Sequence, residues 1–140
     1  MKTLSLILLT VFAGSMASAS SFGLLLSKNI SAGFSPVQYR VTSRCNVYAD
    51  RIEITKSAGN ISTSQVVKIA MTGDIQSLIA EAAAGKITSE VAPTDGPITS
   101  YVAYNSLASE VTLKSLGSSR QNNDALSAIT LVNLIDQLCK

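Results

Sequence analysis

The chain has 140 residues, of which 46% are hydrophobic and 14% charged, and its 11 basic and 9 acidic side chains give a formal net charge of +2. That apolar share can pack a core, which excludes a disordered or collagen-like chain. So small a net charge excludes electrostatic steering toward nucleic acid or anionic lipid. Histidine and tryptophan are absent, and a Ser-His-Asp triad, a Cys-His dyad and an HExxH zinc site all fall with histidine.

Met1-Lys2-Thr3 is a short basic start, Leu4 to Ala13 an almost unbroken apolar run, and Ala17-Ser18-Ala19 a small-x-small cleavage site. Together they predict a secretory signal peptide over residues 1–19, removed after Ala19, with residues 20–140 forming a single domain. The apolar run is shorter than the roughly 20 residues that span a bilayer, and no cysteine follows it to carry a lipid, so no membrane anchor is expected. The expected destination is a periplasm or the extracellular medium. Such an oxidising compartment turns two cysteines into one predicted disulfide, Cys45 to Cys139. A nucleophilic cysteine would need a base, and no histidine exists to serve as one.

Residues 20–36 mix a Leu24-Leu25-Leu26 triplet with the turn formers Gly23, Gly33 and Pro36, and predict a lead-in with one short strand at most. Val37, Tyr39 and Val41 alternate with Gln38, Arg40 and Thr42, the pattern of a half-buried strand. Val47 to Thr55 predicts a second strand whose phase changes near Asp50-Arg51, as at a bulge or bend. Residues 57–64 read as a loop, and Gln65 to Met71 as a third strand. Asp74 precedes Ile75, Leu78, Ile79 and Ala82 at helical spacing and Gly85 follows, which predicts a capped helix over about 74–85. Ile87 to Val91 is a short extended piece. Ile98 to Tyr104 and Glu110 to Leu116, joined by Asn105 to Ser109, predict a hairpin. The longest periodic segment predicts a helix over about 122–139 capped by Asn123 or Asp124. Its apolar face comprises Ala125, Ala128, Ile129, Val132, Ile135 and Leu138-Cys139, and its polar stripe Ser127, Thr130, Asn133 and Gln137. Short turns between consecutive strands make this an α+β chain, with a mostly antiparallel sheet of about five to six strands and two helices packed on it.

Glycine spacing fits no nucleotide-binding loop, and Asp95-Gly96 stands alone rather than in a calcium-binding run. Asp50 and Glu53 are the only carboxylates close in sequence, and the few aromatic residues do not suggest a sugar-stacking platform. No cofactor, metal or catalytic residue is therefore assigned. By elimination, the expected activity is binding of another macromolecule, a protein rather than a nucleic acid, as an inhibitor or accessory protein. The expected contact is the loop Pro93, Thr94, Asp95, Gly96 and Pro97, whose two prolines reduce the entropy lost on binding. The alternatives are a small enzyme using Asp and Glu, and a structural component of an envelope or extracellular assembly.

Overall fold

Turns, more than strand propensity, decide how this chain is divided. The computed structural model describes residues 23–92 and 95–140. The expected signal peptide, with Pro93 and Thr94 of the expected contact loop, lies outside the described residues. The strands are β1 (Leu24–Ser31), β2 (Val41–Tyr48), β3 (Arg51–Ala58), β4 (Ile61–Lys68), β5 (Ile87–Val91), β6 (Ile98–Tyr104), β7 (Glu110–Leu116) and β8 (Ser119–Asn123). The helices are α1 (Ile75–Ala83) and α2 (Leu126–Leu138). All eight strands belong to one sheet, in the order β4-β3-β2-β1-β6-β7-β8-β5, and all its pairings are antiparallel. The expected α+β architecture is present, with eight strands where five to six were expected.

The phase change near Asp50-Arg51 is a turn. Val47 pairs with Ile52, so Tyr48 and Arg51 flank a two-residue Ala49-Asp50 connection and each half of the expected strand becomes a strand of its own. Gly59-Asn60 makes a second such turn between Ala58 and Ile61. There Gly59 takes a φ of +57°, a left-handed conformation that favours glycine. The expected loop over residues 57–64 is therefore the tip of the β3–β4 hairpin. The lead-in supplies a full eight-residue strand, β1, at the centre of the sheet. Val37–Tyr39 is a single 3-10 turn started by Pro36, so the strand expected from Val37 begins only at Val41.

At the start of α2, residues 119–123 pair with β5 as strand β8 and shorten the helix expected over 122–139. Neither Asn123 nor Asp124 caps it; the N-cap is Ala125. Asn123 instead is buried, its amide donating to the Ala82 carbonyl at 2.8 Å and the Thr112 carbonyl at 3.1 Å while its Oδ1 accepts from Ala125 N at 3.0 Å. It joins the end of α1, β7 and the start of α2. Asp74 caps α1 as expected, accepting from Ser77 N at 3.0 Å. Gly85 is not that helix's C-cap, which is Ala84 in a right-handed conformation; a Cβ at Gly85 would strike the Asn123 side chain.

The core lies between one face of the sheet and the two helices. Cross-strand register sorts that face into rows. The first runs Val111, Ala103, Leu26, Val47, Ile52 and is buried throughout. The second runs Lys114, Tyr101, Lys28, Cys45, Ile54. Against these pack Ile75, Ile79 and Ala82 of α1 and Ala128, Leu131 and Ile135 of α2. The α2 face is rotated from the expected one: Leu131 is fully buried, Ile129 is exposed, and Ser127 of the expected polar stripe is buried with no hydrogen-bond partner for its hydroxyl. Contact with α1 as well as the sheet accounts for this, because α2 must bury residues on two sides. Cys45 and Cys139 form the expected disulfide, closing a separation of 94 residues.

Ile135 is wholly buried and Gln137 exposed, so two substitutions on opposite sides of one helical turn should behave oppositely. Ile135→Asp buries a carboxylate and should leave the chain largely unfolded, since the cost of several kcal/mol rivals a domain's total stability of roughly 5 to 15 kcal/mol. Gln137→Asp should shift stability by no more than about 0.5 kcal/mol. Thermal melts of the two variants check the orientation of α2.

Candidate functional site

The second row marks where helical cover stops. Asp136, in the last turn of α2, accepts from the Lys28 ammonium at 2.6 Å and from the Tyr101 hydroxyl at 3.0 Å. The Lys28 nitrogen also lies 5.2 Å from the centre of the Tyr101 ring, within cation–π range. A bulge in β7 between the partners of Tyr101 and Val102 brings Lys114 opposite Tyr101, where its charge acts on Asp136 as well. One residue beyond the helix, Cys139 is bonded to Cys45 of the same row. Burial alone would lower the Lys28 pKa, but the hydrogen bonds to Asp136 and Tyr101 outweigh it and hold the ammonium above its ordinary 10.5. Burial likewise would raise Asp136, and the bonds from Lys28 and Tyr101 instead hold its carboxyl below 3.8. The cluster is a clamp whose partners satisfy one another.

Past this row the strands continue without the helices. The third row on the helix side, Leu116, Thr99, Ile30, Ser43, Lys56, Thr63, is part or fully exposed. On the reverse face Arg44 donates to Asn29 at 3.0 Å, Asn29 to Ser27 at 3.3 Å and Ser27 to Asn46 at 3.1 Å. That chain of bonds ties β1 to β2 and leaves a polar surface, with a depression of about 410 Å³ bordered by Asn29, Thr42, Arg44 and Thr55.

The uncovered end of the sheet is apolar. Antiparallel register brings the end of β1, β3, β5 and β7 together with the start of β2, β4, β6 and β8. Of the fourteen exposed large hydrophobic residues among the described residues, Phe34, Val37, Tyr39, Val41, Ile61, Val91, Ile98 and Leu116 all lie on this rim, while the other six are elsewhere. Phe34 is 95% exposed, Val91 86% and Tyr39 71%. Single exposed apolar residues need no explanation, but eight gathered at one end of the sheet do. The loop that bears Phe34 is held in place rather than loose: Phe34 N donates to the Asp95 carbonyl at 3.2 Å and Arg40 Nε to the Ser35 carbonyl at 2.9 Å. Gly33 lies so near the Asp95 and Gly96 carbonyls that any Cβ would collide with them. Between these two loops is a shallow hollow of about 460 Å³ bordered by Gly33, Phe34, Arg40, Gly96 and Ile98.

Of the expected contact residues, Asp95, Gly96 and Pro97 therefore stand beside Phe34 on this rim. Residues 37–42 were expected to form a half-buried strand, and its three apolar residues, Val37, Tyr39 and Val41, face solvent instead. Pro36 was the available signal, because its fixed φ and missing N–H fit a turn better than a ladder. The acid pair considered from sequence is occupied elsewhere. Arg51 binds Asp50 at 3.0 Å and Glu53 at 2.7 Å and lies 4.0 Å from the centre of the Tyr48 ring. Among the described residues no three His, Cys, Asp or Glu side chains form a metal-holding group, and no helix is long and apolar enough to cross a membrane. No known protein family, curated protein or solved structure matches the chain.

The clamp predicts a pH dependence. A carboxyl whose pKa is depressed by folding stabilises the fold above its unfolded value, and that contribution disappears as pH falls through the folded value. Asp136→Asn should therefore be less stable than the wild type at neutral pH, with the difference shrinking at a pH below the carboxyl's ordinary 3.8. Urea denaturation of both proteins at the two pH values checks this. An equal difference at both would remove the charge on Asp136 from the clamp.

Proposed function

We propose that the chain is an exported domain, formed by residues 20–140 after removal of a signal peptide, that acts by binding another protein through the apolar rim at the uncovered end of its sheet. The observation that carries this reading is the gathering of Phe34, Val37, Tyr39, Val91, Ile98 and their neighbours at one end, on loops fixed by backbone hydrogen bonds and by the close approach of Gly33 to Asp95. A pre-set aromatic anchor loses little entropy when it docks, and such anchors dominate binding energy. Arg40, Arg44, Lys56 and Arg120 flank the rim against Asp95 and Glu90, so the favoured partner surface is apolar with an acidic border. The disulfide supports export, since such bonds persist in oxidising compartments. The reading as an enzyme using Asp and Glu gains no support from Asp50 and Glu53, both of which are engaged by Arg51.

A photo-crosslinking residue placed at Phe34 should join the chain to one stoichiometric partner in the source's envelope or medium, while the same probe at Leu107, exposed at the opposite end, should not. Phe34→Ala should then weaken binding of that purified partner by about thirtyfold, the effect of losing a hot-spot aromatic, with an unchanged melt. Crosslinks from Leu107 alone, or full affinity in Phe34→Ala, would move the binding surface away from the rim.

A further inference from the structure

β4 is one edge of the sheet, and all eight of its residues, Ile-Ser-Thr-Ser-Gln-Val-Val-Lys, are exposed. Register tells which of its backbone groups are free. Ala58 and Ile61 flank the two-residue Gly59-Asn60 turn, so they exchange a pair of hydrogen bonds, and bonded positions recur at Thr63, Gln65 and Val67. The same parity continues past the strand, where Ile69 N donates to the Asp50 carbonyl at 3.0 Å and Met71 N to the Ala49 carbonyl at 2.9 Å. The N–H and C=O groups of Ser62, Ser64, Val66 and Lys68 therefore point away from the sheet, and among the described residues nothing pairs with them.

Edge strands are normally guarded by internal charge, proline, a bulge or short length. β4 has none of these, its one charge standing at the last position. β5, the opposite edge, is five residues long and carries Glu90 within it. We propose that β4 is a self-association edge: two copies of this chain pair β4 to β4, antiparallel, about a two-fold axis normal to the sheet, which continues from one copy into the other.

Such an axis preserves the face of every residue, so facing positions share parity and the outward groups of one copy meet those of the next. Centring the axis on Ser64 sets Ser64 opposite the partner's Ser64, Ser62 opposite the partner's Val66 and Ile61 opposite the partner's Val67. About six backbone hydrogen bonds form, two for each outward-facing pair. The exposed Ile61 and Val67 then cover each other on one face, and Lys68 falls opposite the partner's Asn60 rather than another lysine. Centring on Gln65 pairs four outward positions instead of three, but it sets the exposed Val67 opposite the partner's Thr63 and Ile61 opposite the partner's Ile69, a residue already packed against the core; the Ser64 register, which joins the exposed Ile61 and Val67 on both sides of the axis, is favoured. The helices pack over β1, β6 and β7, so a second copy entering at β4 meets no helix. This surface is separate from the apolar rim except for Ile61, which both include.

Sedimentation velocity on the disulfide-bonded chain tests the proposal, and Ser64 is exposed, so charging it leaves the fold intact, as a far-UV melt would verify. The wild type should sediment as a dimer at submillimolar concentration. Ser64→Lys and Ser64→Asp, which set like charges face to face at the axis, should each weaken dimerisation by about tenfold or more, and an equimolar mixture of the two should recover the dimer. A wild type that stays monomeric, variants that dimerise undiminished, or a mixture that remains monomeric would each overturn the Ser64-centred pairing. A chain monomeric alone, whose β4 amides gain hydrogen-exchange protection only when a different protein is added, would overturn it in favour of a foreign strand.

Discussion

The last turn of α2 is fixed to the middle of the sheet, and the rest of the structure depends on that attachment. Two links of different chemistry make it: the Cys45–Cys139 bond and, one helical turn earlier, the contacts of Asp136 with Lys28 and Tyr101. Both land on the same cross-strand row. Between this row and the Asn123 joint at its other end, α2 is held at two points, and Ala128, Leu131 and Ile135 are pressed onto the sheet between them. The helix is too short to stabilise itself in water, so its packing must supply what propensity does not. A covalent link between its end and β2 removes much of the freedom the unfolded chain would otherwise have.

The same attachment divides the sheet into two halves with different tasks. The half under the helices contains the buried rows and carries the stability. The other half extends past the second row with both faces open, and its end gathers the apolar side chains that the core does not use. Loops 32–40 and 95–97 are braced against each other there by the Phe34–Asp95 hydrogen bond and the Gly33 contact. A binding surface placed on such an end can vary without disturbing the core, because no rim residue belongs to the buried cluster. The proposed β4 edge lies to the side of this rim, so dimerisation and partner binding can coexist.

Much of this was legible in the residues, for physical reasons that differ from element to element. Two cysteines allow one intramolecular pairing, so Cys45 and Cys139 could be joined without any geometry. β6 and β7 were readable because β-branched and aromatic residues fill β6, Val111 and Thr112 follow in β7, and Asn105 marks the turn between them, where its Oδ1 accepts from Leu107 N and Ser109 N. The turns at Ala49-Asp50 and Gly59-Asn60 were obscured because each is only two residues long, and a phase change of that length resembles a bulge. β1 was hidden because Ser27, Lys28 and Asn29 interrupt its apolar residues; Lys28 is tolerated at the sheet centre only because Asp136, distant in sequence, neutralises it. The rim was half legible. The loop with Pro97 could be singled out from turn chemistry, whereas the alternation of Val37, Tyr39 and Val41 resembles the buried side of a strand and Phe34 stands in a lead-in without a pattern, since hydrophobicity alone does not say which side of a surface a residue occupies.

If the attachment of α2 governs the fold, breaking its covalent part must cost what closing a loop of this size provides. Urea denaturation of the wild type and of the Cys45→Ser/Cys139→Ser double variant measures this most directly. The variant should be less stable by about 4 to 5 kcal/mol, the value for a closed loop of about 100 residues, with α2 the first element to lose hydrogen-exchange protection. A variant with the wild-type midpoint and an equally protected α2 would contradict it.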